Sequence, residues 1–272
     1  MALPLFKWPG GKRWLVPTLT PIVKRALAPR GTYIEPFAGG AAVFFAVEPI
    51  RAILSDVNAE LIEAYATVRA KPNDVLRILR RMPVNSHEYY RIRAVTSRSA
   101  ISRAARLLYL NRTAFGGMYR VNAEGKFNVP YGGGRTPQIL WERNILRQAS
   151  NALKAASLQR CDFAVSLREA GAGDVAYCDP TYTVMHNNNG FVRYNERNFS
   201  WADQCRLAAA AKAAVDRGAT VIVSNAHHAE IAALYAGWSK TVLHRQSLVC
   251  PSPDARLPIT EYLFVGVPEA IK

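Results

Sequence analysis

The chain has 272 residues, half of them apolar and a tenth aromatic, with 35 Lys+Arg against 20 Asp+Glu and a net charge of +15. This is enough apolar material for one domain with an insertion or for two domains, and it excludes a disordered or fibrous chain. No stretch approaches the roughly 18 apolar residues of a membrane span and the first residues lack the apolar run of a signal peptide, so a cytoplasmic, non-membrane protein is expected.

The charge predicts a polyanionic partner, nucleic acid first, with an acidic protein as the alternative. It is concentrated: Leu76 to Arg147 hold 14 Lys+Arg against 3 Asp+Glu. The four cysteines, Cys161, Cys178, Cys205 and Cys250, form no C-x-x-C pair and no zinc-ligand spacing. They are expected as reduced thiols, with no metal bound.

In chain order, Thr32 to Glu35 read as a short strand, Pro36 to Gly40 as a glycine turn and Ala41 to Ala46 as a helix start. Ala52 to Leu54 form a second strand ending in Ser55-Asp56-Val57-Asn58, and Leu61, Ile62, Tyr65 and Val68 recur at helical spacing behind Asn58 as N-cap. From Lys71 the chain turns to Arg-rich helical patterns, including Ile101 to Leu110, followed by a Gly- and Asn-rich stretch from Asn111 to Gly134 that reads as loops or a hairpin. A helical pattern follows around Ile145 to Ala156. Strands return at Leu158 to Asp162, Val175 to Cys178, Thr220 to Ser224, Lys240 to His244 and Tyr262 to Val265, with helices at Trp201 to Asp216 and Ala229 to Tyr235.

This alternation predicts an α/β fold with an open, largely parallel sheet. Only a loop around Pro251-Ser252-Pro253 separates the last two strands, so they are expected as antiparallel neighbours. The organisation is a first domain of residues 1–70 and 145–272, interrupted by a basic, mainly helical subdomain of residues 71–144.

Three constellations carry chemistry. The Gly39-Gly40 turn between strand and helix, with Asp56 at the next strand end, suits a nucleoside cofactor whose ribose hydroxyls donate to the carboxylate. Glu35 suits a cationic cofactor such as S-adenosylmethionine better than a pyrophosphate; a turn-capping or ion-paired carboxylate is the plain alternative. Trp8-Pro9-Gly10-Gly11-Lys12 lacks the strand and spacing of a phosphate loop, and reads instead as a turn closing over the amino-acid end of a cofactor.

Asp179-Pro180-Thr181-Tyr182 follows the apolar run Val175 to Cys178, where an open sheet collects its ligands. An exocyclic amine is a poor nucleophile because its lone pair is delocalised into the ring. The Asp179 carboxylate and the Pro180 carbonyl can each accept one of its N–H bonds while Tyr182 stacks on the base. Such chemistry requires a target nucleotide flipped out of a duplex, and no metal. An ordinary β-turn after a strand is the alternative.

These motifs, in order, resemble the Dam-like (D12 class) adenine-N6 DNA methyltransferases over nearly the full length. Phe6-Lys7-Trp8-Pro9-Gly10-Gly11-Lys12 is similar to the family's N-terminal cofactor motif, Glu35-Pro36-Phe37-Ala38-Gly39-Gly40-Ala41 to its glycine-rich motif, and Leu54-Ser55-Asp56-Val57-Asn58 to its ribose-binding strand end. Asn111 to Arg120 with Gly125 to Gly132 resembles the target-recognition hairpin. The resemblance implies a Rossmann-like S-adenosylmethionine-dependent methyltransferase sheet with an antiparallel last strand and an inserted target-recognition subdomain.

It also implies cofactor contacts by Trp8, Lys12, Glu35, Phe37, Gly39, Asp56 and Asp179, with Asp162 and Phe163 flanking the adenine, and a target-base clamp of Asp179, Pro180 and Tyr182. On the side of double-stranded DNA it implies Arg112, Met118, Arg120 and Pro130, Arg120 matching a guanine-reading position. A cognate restriction endonuclease is a companion that the resemblance allows and the sequence leaves open. Two residues depart from the family pattern, Ala41 where glycine is usual and Thr181 where proline is usual. They keep a catalytically weak or silent DNA-binding protein as one alternative, with an RNA adenine or cytosine-N4 methyltransferase as the other.

Overall fold

The computed structural model describes residues 2–133, 142–183, 199–246 and 258–269. Seven strands form the sheet, in the order β3-β2-β1-β4-β5-β7-β6. They are β1 (Tyr33–Glu35), β2 (Ala52–Asp56), β3 (Ala156–Arg160), β4 (Val175–Cys178), β5 (Thr220–Ala226), β6 (Ser239–Gln246) and β7 (Pro258–Gly266). The order reverses between β1 and β4, which are parallel neighbours, and this creates the crevice at which open α/β sheets bind ligands. The chain divides into two compact units, Met1–Arg25 with Ala38–Cys161 and Ala26–Phe37 with Asp162–Lys272.

The first unit carries the parallel pair β2 and β3 and the helices α2 (Ala42–Val47), α3 (Ala59–Ala70), α4 (Pro72–Leu79), α5 (Ser86–Ala94), α6 (Ala100–Thr113) and α7 (Arg143–Leu153). It also holds most of α1 (Val16–Ala26). Asn58 caps α3, its side chain accepting from Leu61 N at 3.1 Å, as the sequence implied. The core of this unit includes Leu61, Tyr65, Val68, Leu79, Tyr89, Leu108 and Tyr109, all buried.

In the second unit β1, β4 and β5 run parallel, while β7 lies between β5 and β6 and is antiparallel to both. The expected antiparallel relation of the last two strands is therefore present. Their junction around Pro251-Ser252-Pro253 lies outside the described residues. The helices here are α8 (Phe163–Arg168), α9 (Trp201–Asp216) and α10 (Ala229–Leu234). A capping box, Ser200 with Asp203, starts α9 at the expected residue.

Differences from the expected elements have local causes. The strand expected from Leu158 starts at Ala156, because Ala52 pairs with Ala156 and Ala52 N donates to the Ala155 carbonyl. Helix α1 carries Pro21 in its interior and α8 has only six residues, so neither offers a long helical period to read. Helix α6 continues through Thr113, past the expected end at Leu110, because Asn111, Arg112 and Thr113 turn into the interior. Gly134, the last residue of the expected loop stretch, is outside the described residues. Among the described residues no helix is long and apolar enough to cross a membrane.

Candidate active site and nucleic-acid interface

In the first unit the turn after β1 and the end of β2 are joined. Gly39 N donates to Asp56 Oδ2 at 3.0 Å, and Asn58 N donates to Asp56 Oδ1 at 2.9 Å. Burial pushes the Asp56 carboxyl pKa up, opposed by main-chain N–H groups of Asn58, Gly39 and Val57. The Gly39 carbonyl accepts from the Tyr65 hydroxyl at 2.8 Å. Gly39 has φ +43°, and a Cβ there would lie 2.7 Å from Trp8 Cδ1, so the indole occupies the space that any other residue would need.

Trp8 stacks on Tyr119, with ring centroids 4.9 Å apart and planes at 17°. Lys12 is buried within its turn and its Nζ donates to the Gly10 carbonyl at 3.1 Å. Trp8, Gly39 and Asp56, chosen from separate motifs, thus converge through Gly39.

The hairpin expected to recognise DNA is pinned at Val121 opposite Phe127 and at Ala114 opposite Tyr131. Arg120 is exposed, and Nε donates to Asn128 Oδ1 at 2.8 Å across the hairpin. Nη2 also reaches the Asn128 carbonyl at 3.4 Å, so the guanidinium is oriented by Asn128. Met118 is half-buried and Pro130 exposed. The Tyr89 hydroxyl and Arg93 both donate to the Val129 carbonyl, fastening the hairpin to α5.

Arg112 requires a correction. Expected at the DNA surface, it is buried, with Nε donating to the Leu5 carbonyl and Nη2 to the Pro4 carbonyl, each at 2.7 Å. Burial and the nearby Arg13 charge lower its pKa to about 10. With the neighbouring Asn111, which bonds both the N–H and the carbonyl of Lys7, it ties the N-terminal segment to α6. A buried guanidinium committed to main-chain carbonyls is not available to a phosphate.

In the second unit, Glu35 and Asp179 stand at the carboxyl ends of the neighbouring strands β1 and β4. Glu35 is buried and accepts from the Tyr33 hydroxyl at 2.9 Å. Asp179 Oδ1 accepts from Ser224 Oγ at 2.8 Å, and Ser224 in turn lies 2.9 Å from the Tyr177 hydroxyl. Since an ionised carboxylate only accepts, the direction is Tyr177 to Ser224 to Asp179. Burial first, and then the Asp179 charge, raise the Tyr177 pKa well above the usual range and keep it a neutral donor.

Tyr182 donates to Glu261 Oε2 at 2.6 Å, and burial with the Asp179 and Glu261 charges keeps that phenol protonated too. Phe37 stacks on Phe163 at 5.4 Å and meets Phe199 edge-on at 5.6 Å. At that spacing Phe37 and Phe163 are in mutual contact with no slot between them, and Phe163 is buried. Asp162 caps α8 through Ala164 N and pairs with Arg206, whose guanidinium lies over Phe163.

Ser224, Tyr177, Glu261 and Gln204 escaped the sequence reading. Ser224 carried a signal. Cys178 is in register with Val223, so the first polar residues after two apolar runs on adjacent parallel strands are opposite one another. Glu261 had none, because its position follows from the antiparallel register of β7 on β5.

A family model for the D12 class N6 adenine-specific DNA methyltransferases matches residues 8–249. The chain belongs to this family. It is 34% identical over 232 residues to the Type II methyltransferase M1.LlaDCHI of Lactococcus lactis subsp. cremoris, covering 82% of this chain and 80% of that one. It is 30% identical over 288 residues to the Type II methyltransferase M.MjaIII of Methanocaldococcus jannaschii, covering 97% and 98%. With the DNA adenine methylase of Escherichia coli K12 it shares 34% identity over 226 residues, covering 80% and 79%.

As a D12 class member the chain is an adenine-specific DNA methyltransferase, and its two departures gain a physical setting. Ala41 has φ +50° and ψ +38°, a left-handed conformation that glycine adopts without cost. Thr181 is exposed, and its carbonyl accepts from Gln204 Nε2 at 3.2 Å, with Asn225 holding Gln204 from behind at 2.9 Å. This buried amide pair restrains the backbone at the position where the family's proline would do so.

Proposed function

We propose that this methyltransferase uses S-adenosylmethionine to methylate N6 of an adenine flipped out of duplex DNA, within a short defined sequence. The observation that carries this reading is the Asp179 carboxylate at the end of β4, held by Ser224, in a chain of the adenine-N6 family. On this reading Asp179 accepts one N–H of the amine and the Pro180 carbonyl the other, which localises the nitrogen lone pair. The ring of Tyr182 stacks on the base, its orientation fixed by Glu261. Ser224 and Tyr177 steady the acceptor, and preorganisation of this kind lowers the barrier without proton storage.

The chain's own groups suit the cofactor. Asp56, although bonded to Gly39 and Asn58, retains lone pairs for ribose hydroxyls; Glu35 is a buried carboxylate suited to a cation; and the half-buried ring of Phe37, backed by Phe163, offers apolar surface to a purine. The candidate cofactor residues are Trp8, Lys12, Gly39 and Asp56 in the first unit and, taken by themselves, Glu35, Phe37, Asp162, Phe163 and Asp179 in the second. S-adenosylmethionine, when bound, supplies a methyl group on a sulfonium, open to direct displacement by the amine. Residues 71–144 are the DNA-recognition part, with Arg120, Met118 and Pro130 directed at bases and Arg112 reassigned to the interior.

The test is incubation with labelled S-adenosylmethionine and duplex DNA, single-stranded DNA or RNA, followed by nucleoside mass spectrometry. N6-methyladenine in duplex DNA is expected. Only N4-methylcytosine, or product in RNA but not DNA, overturns the reading, and duplex binding without cofactor binding in calorimetry supports the silent alternative. A fluorescent adenine analogue at the target position should brighten on binding as it leaves the stack.

A further inference from the structure

Within the first unit, Asn73, Leu76, Arg77, Arg80, Arg81 and Arg143 line an open cavity of about 450 Å³. None of these residues belongs to the hairpin or to the strand ends described above. Arg77 lies in the last turn of α4, Arg80 is its C-cap and Arg81 follows directly, which brings all three to the cavity. Asp74 pairs with Arg77, which offsets one of the charges. The partial negative charge at the end of α4 favours Arg80 and Arg81 without any ligand.

Arg143 has no such explanation. It is the first residue of α7, a helix with no acid in its first turn, where the partial positive charge of the helix start disfavours a cation. Glu142 precedes it but makes no capping bond. Among the described residues no carboxylate pairs with Arg81 or Arg143. The Arg81 and Arg143 guanidinium groups at one cavity favour an anion between them, and a phosphate accepts from several arginine forks together.

We propose that this pocket holds a backbone phosphate of duplex DNA outside the recognised bases. It rests on the reading of the chain as a DNA-binding methyltransferase. DNA is favoured over a free anion because the arginines are exposed at an open cavity and lie in the segment that carries most of the chain's net positive charge.

The test compares the full chain with its Arg81→Gln/Arg143→Gln double variant on a long duplex and on one trimmed to the recognised sequence, after thermal unfolding has shown both to be folded. On the long duplex the variant should bind several-fold more weakly whatever the sequence. Its plot of log affinity against log salt should be shallower by about 0.9 for each phosphate lost. On the trimmed duplex the two proteins should match, as should turnover at saturating DNA. If the double variant does not fold, the single variants should each show part of the loss.

Equal affinity and equal salt slope on the long duplex overturn the proposal while leaving the function intact. So does calorimetric binding of inorganic pyrophosphate that the substitutions abolish without changing DNA affinity, since the pocket would then take a free anion. A wild-type chain that binds no duplex at all overturns both readings.

Discussion

Ser224 on β5 donates to Oδ1 of Asp179 at the end of β4, 2.8 Å across two parallel strands, and the buried Tyr177 hydroxyl stands 2.9 Å behind the serine. The proposed acceptor of the target amine is therefore the end of a short relay anchored in the sheet.

Ser224→Ala should lower kcat by about 10- to 100-fold with little change in DNA affinity, since a hydrogen bond to a charged group is worth about 1.5–3 kcal/mol. It should also cost about 1–3 kcal/mol of stability, because the Tyr177 hydroxyl is left buried without its partner. Removing that hydroxyl as well, in a Tyr177→Phe/Ser224→Ala variant, should recover part of the lost stability in urea unfolding. Additive losses would argue against the relay.

Asp179→Ala should abolish methyl transfer in single-turnover assays while duplex binding stays within a few-fold of wild type, since the carboxylate is assigned to the amine and not to phosphates. Near-normal turnover would remove Asp179 from the clamp.

Tyr182→Phe retains the ring and loses the hydroxyl's bond to Glu261. It should keep measurable activity, about tenfold reduced if that bond is worth about 1.4 kcal/mol in orientation. Tyr182→Ala should lose far more, because base–aromatic stacking contributes about 1–3 kcal/mol in addition. Equal losses in the two variants would place the function in the hydroxyl and not in the ring.

Ala41→Gly should stabilise the fold by up to about 1 kcal/mol, by relieving a left-handed alanine whose cost is about 1–2 kcal/mol, less the loss of one buried methyl. The midpoint of denaturant unfolding, at unchanged slope, measures it.

Arg120→Ala should relax specificity at one base pair by about 1–3 kcal/mol, measured as methylation of single-substitution sites. Asn128→Ala, which removes the side-chain bond orienting that arginine, should give a smaller loss at the same base pair. A uniform loss across sequences with a shallower salt slope would make Arg120 a phosphate contact.

Much of the site was legible because its motifs are local. Glu35, Asp56 and Asp179 each follow a short apolar run, and an apolar run ending in a carboxylate is visible without knowing its neighbours. The span of α9 was readable as a helical pattern from Trp201 to Asp216. Arg112 was misread for the converse reason. A charged residue in a basic segment is ordinarily exposed, and nothing near position 112 announces that the carbonyls of Pro4 and Leu5 will come to it from more than a hundred residues away.

The sequence by itself determined the order of the strands, the polar residues at their ends and the basic character of residues 76–147, because these depend on residue type and near-neighbour spacing. Tertiary structure alone decided that β7 enters between β5 and β6, bringing Glu261 to Tyr182, and that Ser224 backs Asp179. It also decided that Ala41 takes a left-handed turn and that Arg81 and Arg143 share a cavity. Each of these follows from register or packing between segments distant in the chain, where a shift of one residue exchanges the partner or the face.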